Sequence, residues 1–247
     1  MSLLRAENIT VSFENVRIIE DISLSVAEGE TVSLLGVSGA GKTTLFNVLS
    51  GLYAPDGGKI YFDGEDITGK AGKISYMLQK DLLLPHKKVI DNAALPLVIR
   101  GMAKKEAREK AESHLREFGL EGTGNKYPHQ LSGGMRQRVA FLRTYLASEK
   151  AALLDEPFSA LDSITKSAIH RWFLSVMKEI KLSVLFVTHD IDEAILLSDR
   201  VFLLTGKPGK ITEEIIIDLP GEKSERNPMS REFIAYKEEI IRKIGII

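Results

Sequence analysis

The sequence predicts an α/β fold with a parallel sheet at its centre, and three observations carry that prediction. Short apolar runs of the buried-strand type recur, "TVSLLG" (31–36), "AALLDEP" (151–157), "SVLFVTHD" (183–190) and "DRVFLLTG" (199–206). A helical stretch, "SITKSAIHRWFLSVMKEI" (163–180), separates the second from the third. Buried strands alternating with helices are the mark of a parallel sheet. A glycine-rich loop joins the first strand to a helix. Between about Leu82 and Ala147 the texture turns helical, as if a lobe were inserted.

Taken in order, the first 35 residues alternate as half-buried strands do, in "LRAENITVSF" and then "ISLSVAEGE". They predict an antiparallel β part at the N-terminus. "TVSLLG" ends in glycine, and "KTTLFNVLSGL" reads as the helix after the loop. "PDGGKIYFDGEDI" carries two Asp-Gly turn signals around a short strand, which predicts a hairpin. "KISYMLQ" reads as a further strand. In "KKEAREKAESHLREFGL" the residues Ala107, Ala111, Leu115 and Phe118 share one stripe of a solvated helix. After "SGG", Met135, Val139, Leu142 and Leu146 recur at helical spacing. Past Pro220 the chain is polar, and then Phe233, Ile240 and Ile244 fall on one helical face, predicting a helix docked on the core rather than a partner contact. The expected division is 1–81 with 148–220 as the α/β lobe, 82–147 as the helical lobe and 221–247 as a tail helix. There is no internal repeat and no low-complexity run.

The bulk numbers set bounds. The chain has 247 residues, 44% hydrophobic and 27% charged, which is ordinary globular composition. A net charge of −1 gives no electrostatic reason to expect nucleic acid. There is no cysteine, so disulfides and thiolate chemistry are excluded. "MSLLRAENIT" lacks the basic-then-apolar pattern of a signal peptide. The longest apolar runs fall far below the ~18 residues a membrane span needs.

"GVSGAGKT" (Gly36–Thr43) matches G-x-x-x-x-G-K-[ST] between a strand and a helix, the context that makes the pattern meaningful. Small residues here, Gly36, Ser38, Gly39, Ala40 and Gly41, let backbone N–H groups curl around phosphates, with Thr44 following in the helix. Lys42 would neutralise the β- and γ-phosphates, and the Thr43 hydroxyl would ligate Mg²⁺. Asp155 ends "AALLD", where a second carboxylate of the Mg²⁺ shell belongs. Glu156 follows directly. At a strand end it can turn toward the nucleotide and polarise the attacking water as general base, and the competing reading is a surface carboxylate before Pro157. A second anion site is suggested by "LSGGMRQRVA" (131–140), where a polar, glycine-paired turn opens a helix.

Together these residues resemble the ATP-binding subunit of an ABC transporter over nearly the whole chain. In that family's terms "GVSGAGKTT" is the Walker A loop, "LSGGMRQ" the signature sequence, "ALLDEP" Walker B and "SALD" (Ser159–Asp162) the D-loop. The resemblance implies that Phe13 stacks on adenine. It implies that Gln79, the Q-loop glutamine, senses Mg²⁺ and the γ-phosphate. Glu156 becomes the catalytic carboxylate and His189 the switch histidine. Ser132, Gly133, Gly134 and Asp162 become contacts to ATP held by the other subunit, because members pack head to tail with each signature loop closing on the partner's nucleotide. The implied function is an ATPase motor that ATP binding closes and hydrolysis reopens.

"QKDLLLP", "LSGGMRQRVAFLRT" and "DEAILLSDRVFLLTGKPGKI" look like the nitrate/sulfonate/taurine importer group, which includes importers of pyrimidine precursors. Many members have Trp after "LLP"; His86 stands there in this chain. The implied partners are a second ATP-binding subunit, transmembrane permease subunits and, indirectly, an extracytoplasmic solute-binding protein, with no nucleic acid. The implied place is the cytoplasmic face of the cell membrane. Leu82, Leu83 and Leu84 either wall a groove for a permease helix or pack the helical lobe. A non-transport ABC ATPase of DNA repair or translation is the rival reading. It is disfavoured by the single set of motifs and by the absence of a long coiled-coil insertion. A P-loop kinase or GTPase leaves "LSGGMRQ" unexplained.

Overall fold

A computed structural model describes residues 2–159 and 162–245. Ala160 and Leu161 of the expected D-loop lie outside the described residues. Two sheets form. The first is antiparallel, in the order β2 (Val16–Ala27), β1 (Ser2–Phe13), β4 (Gly57–Phe62), β5 (Glu65–Asp66). The second has the order β10 (Lys210–Ile216), β9 (Arg200–Thr205), β3 (Thr31–Gly36), β8 (Ser183–Thr188), β7 (Ala151–Asp155), β6 (Ser75–Met77). Five of its strands run parallel, and β10 is an antiparallel edge. The α/β class, the parallel core and the N-terminal antiparallel part are as the sequence predicts.

The helices are α1 (Lys42–Leu49), α2 (Val89–Ala93), α3 (Leu95–Ile99), α4 (Lys104–Leu115), α5 (Gly133–Ala147), α6 (Ser163–Ile180), α7 (Ile191–Leu197) and α8 (Arg231–Ile244). Four of them, α2 to α5, lie between β6 and β7 in the chain. The turn at Asp63–Gly64 closes the β4–β5 hairpin, and both residues have positive φ, as a two-residue hairpin turn requires.

Strand alternation explains how the central sheet is covered. Leu153, Leu185 and Val187 point to one face, where they meet Leu45 and Phe46 of α1 and the antiparallel sheet's Leu4, Ile22 and Ile60. Their neighbours Leu154, Val184 and Phe186 point to the other, against Val139 and Leu142 of α5 and Phe173 of α6. At the β9–β10 end of that second face Leu35, Val201 and Leu203 meet Ile195 of α7 and Phe233 and Ile240 of α8. The tail helix is therefore docked on the core, as its periodicity predicts. The stripe Ala107, Ala111, Leu115 and Phe118 is buried throughout.

Sheet order positions the site. The residues expected to form the site fall at or just after the C-terminal ends of β3, β8, β7 and β6, which are consecutive neighbours in the sheet. Register aligns those ends, with Leu35 beside Thr188, Asp155 beside Val187 and Met77 beside Leu154. The crevice beyond the carboxyl ends of parallel strands is where open α/β sheets bind ligands.

Candidate functional site

The glycine loop after β3 owes its path to close approaches. A Cβ on Gly36 would stand 2.5 Å from the Leu204 carbonyl, and one on Gly41 would stand 2.5 Å from Ile19 Cγ2. Gly39 and Gly41 have φ of 79° and 92°, in the left-handed region that favours glycine. Gly41 is the N-cap of α1, with no side-chain cap and no acidic residue in the first turn. The free N–H groups of Lys42, Thr43 and Thr44 and the positive helix end suit an anion such as a phosphate. Ser38 is exposed beside them, whereas Ala40 has its side chain fully buried and offers the loop only its backbone.

Lys42 lies inside this loop. Its Nζ donates to the carbonyls of Gly36 at 2.8 Å and Val37 at 3.0 Å. Burial lowers its pKa, while the charges of Glu156 and Asp155 oppose that shift. Asp155 reaches toward Thr43, with Oδ2 3.5 Å from the Thr43 hydroxyl, and it accepts from the Tyr76 hydroxyl at 3.4 Å. Burial and the neighbouring charge of Glu156 raise the Asp155 pKa, against the pull of Tyr76, Thr43 and Lys42. A buried carboxylate destabilised in its charged form is what a divalent cation would relieve. No cluster of three or more His, Cys, Asp or Glu side chains able to hold a metal occurs among the described residues. The Thr43 hydroxyl and the Asp155 carboxylate beside it are the one or two protein oxygens that Mg²⁺ takes when phosphate and water complete its shell.

Glu156 breaks from the strand with φ 44°, an unusual left-handed conformation for a non-glycine residue that costs about 1–3 kcal/mol. The twist sends its carboxylate across the strand ends. Oε2 accepts from Gln79 Nε2 at 3.1 Å and lies 3.3 Å from His189 Nδ1. Gln79 also donates to Ser159 Oγ at 3.3 Å. Gln79, Glu156 and His189 thus converge, one from each of three adjacent strand ends, beside Asp155, Thr43 and Lys42. Such a carboxylate, oriented by an amide and an imidazole, can accept a proton from a water approaching the phosphate loop.

Ser132 is the N-cap of α5, and its hydroxyl accepts from the Met135 N–H at 3.3 Å. Gly133 shares a cleft with Gln79 and Ser159, lined also by Lys80, Asp81 and Arg136. Gly134 is buried against α6, where a Cβ would meet Thr165 at 3.5 Å. No hydrogen bond or ion pair joins Ser132 to the Lys42 loop among the described residues. Asp162 caps α6 by accepting from the Thr165 N–H at 3.1 Å and its hydroxyl at 2.7 Å. Phe13, 45% exposed, packs edge-on against Tyr53 with ring centroids 5.8 Å apart.

Sequence reasoning missed Tyr76 and Lys207, and it named Ser159 only as the first residue of the D-loop. The Tyr76 hydroxyl meets Asp155 only because β6 lies beside β7. Lys207 lies in the β9–β10 turn, its Nζ 3.7 Å from where a Gly39 side chain would begin. That turn is pinned to β2 by the Glu20 N–H to Gly209 carbonyl bond at 3.0 Å and the Gly209 N–H to Ile18 carbonyl bond at 2.8 Å. No local signal marks Tyr76 or Lys207.

Comparison with known proteins finds relatives that match most of the chain. A family model described as ABC transporter matches residues 19–159. The formylaminopyrimidine import ATP-binding protein ThiZ of Halalkalibacterium halodurans is 48% identical over 83% of this chain and 81% of its own length. The taurine import ATP-binding protein TauB of Yersinia pestis is 33% identical over 98% of this chain and 97% of its own. Among solved structures, the dimeric post-hydrolysis state of the ATP-binding cassette MJ0796 bound to ADP and Pi superposes with a TM-score of 0.73. It is 31% identical and the match covers 87% of this chain and 99% of that one.

Proposed function

Because this chain belongs to the ABC transporter family, we propose that it is the ATP-binding and ATP-hydrolysing subunit of an importer. The observation that carries the reading is the convergence of Gln79, Glu156 and His189 beside the Lys42 loop. The phosphates of ATP lie on the free N–H groups of α1, with Lys42 moving from the loop carbonyls to phosphate oxygens. Phe13 stacks on the base. Glu156 takes the proton of the attacking water, while Gln79 and His189 hold its carboxylate in place. Thr43, Asp155 and Gln79 would hold Mg²⁺, which when bound neutralises charge building on the phosphates.

The working unit is a pair of such chains, either two copies or this chain with a close relative. Ser132, Gly133 and Gly134 of one chain close on the nucleotide of the other, and Asp162 lies at that interface. Support comes from the α5 N-terminus, whose N–H groups and positive end suit a γ-phosphate. Membrane subunits supply the path for a small solute such as nitrate, a sulfonate, taurine or a pyrimidine precursor. No helix among the described residues is long and apolar enough to cross a membrane. The groove lined by Tyr76, Leu82, Leu95, Pro96 and Ile99 is where a permease helix docks, on the cytoplasmic face of the membrane. Leu82 is 52% exposed in this groove, Leu83 is buried in the core and Leu84 is half-buried.

Glu156→Gln tests the proposal. The variant keeps the shape of the side chain but cannot take a proton. It should bind ATP and elute as a dimer in its presence, with hydrolysis down by about a thousandfold or more. A variant that stays monomeric with ATP, or hydrolyses it at the parent rate, would sink the reading.

A further inference from the structure

Glu193 is 4% exposed, and it anchors a charged cluster that none of the site chemistry above uses. Its Oε2 accepts from the Thr188 hydroxyl at 2.7 Å. Its Oε1 lies 2.7 Å from Lys166 Nζ and 3.4 Å from His170 Nε2. Thr188 Oγ1 also accepts from the Asp190 N–H at 3.0 Å. Asp190 Oδ1 accepts from the N–H groups of Asp192 at 3.0 Å and Glu193 at 3.2 Å, and Oδ2 lies 3.3 Å from Lys166 Nζ. Both neighbours of His189 are therefore fixed, one on each side, to the same buried anion and its lysine.

The His189 side chain itself is 61% exposed. So exposed a ring has little packing to aim it, and its 3.3 Å approach to Glu156 depends on where the turn Thr188–Asp190 sets its backbone. The other end of the cluster reaches the Glu156 turn. The His170 ring meets Phe158 edge-on, with centroids 4.8 Å apart. Lys166 belongs to the first turn of α6, where its N–H donates to the Asp162 carbonyl at 2.8 Å. A buried ionic cluster is seldom a net gain over apolar packing, but it fixes direction, because each bond is lost if the groups slide.

We propose that Thr188, Glu193, Lys166 and His170 form a positioning brace that cross-links the turn carrying His189 to the turn carrying Glu156. The brace rests on the roles given to those two residues above. None of its hydrogen bonds or ion pairs reaches the phosphate loop among the described residues. Loosening it acts on the hydrolytic step and leaves nucleotide binding alone.

Thr188→Val removes the hydroxyl at nearly constant shape and leaves every charge in place, and Thr188→Ser restores the hydroxyl. In Thr188→Val, kcat for ATP should fall about tenfold while KM and nucleotide affinity stay within about twofold. Amide exchange at Asp190 should accelerate, and Thr188→Ser should recover both toward the parent values. Glu193→Gln should move kcat in the same direction; if it fails to fold, the Thr188 pair decides. Parent kcat and parent Asp190 protection in Thr188→Val would overturn the brace, as would kcat and affinity falling together. Failure of the site reading looks different. A parent chain that binds ATP but shows no hydrolysis sensitive to Glu156→Gln removes the catalytic roles, while Asp190 exchange still reports whether the Thr188 hydroxyl holds the turn.

Discussion

Lys42 shows how finely single residues are poised. It is nearly buried, its pKa is lowered by that burial, and its charge is sustained by Glu156 and Asp155 and by two carbonyls of its own loop. Lys42→Ala should leave the fold intact and weaken ATP binding by on the order of a hundredfold, since a charge-assisted contact of this kind contributes about 1.5–3 kcal/mol. Isothermal titration of the isolated chain checks it, and unchanged affinity would remove the assignment of the loop. The sequence told which side chains to watch, because each motif carries its chemistry in its residue types. It did not tell what those side chains touch. Glu156 reaches Gln79 and His189 through a left-handed backbone step, and Tyr76 finds Asp155 through strand adjacency, neither of which is a local property.

At the scale of elements, strong periodicity was legible and weak patterning was not. The strands β3, β7 and β8 are buried on both faces, so they read as plain apolar runs. By contrast β10, "KITEEII", is a charged edge with few buried residues, and α2, α3 and α7 are too short to establish a helical period. The tail helix α8 was legible because Phe233 and Ile240 fall on one face, and both are fully buried against α7 and the sheet. Ser230 caps its start and Gly245 ends it with φ 77°. Phe233→Ala should cost about 3–5 kcal/mol of stability. A denaturant midpoint unchanged from the parent would mean that α8 is not part of the cooperative core.

The whole molecule depends on strand order, which the sequence does not spell out. The chain enters β3, leaves for the antiparallel sheet and returns through β6, so that residues far apart in sequence line one row of strand ends. The brace adds a whole-molecule signature in acid. Burial alone would raise the Glu193 pKa, but bonds from His170, Lys166 and Thr188 outweigh it and hold the group at about 2 against an ordinary 4.5. A depressed folded-state pKa gives stability that is complete above pH 4.5 and is lost as pH falls toward 2. Glu193→Gln should therefore be less stable than the parent at neutral pH, with the gap narrowing across that window by on the order of 3 kcal/mol. Paired urea titrations at several pH values measure it, and a gap independent of pH would contradict it. The same sheets also govern how crowded copies of the chain behave. Among the described residues, three of the four outer strands offer little to a stray neighbour: β5 has two residues, β6 has three, and β10 carries Lys210, Glu213 and Glu214. The fourth, β2, is irregularly paired with β1 and partly closed by the β9–β10 turn. Lateral strand addition, the route to fibrils, is thus blunted on every side. Copies gathered at high local density are thereby kept from joining sheet to sheet.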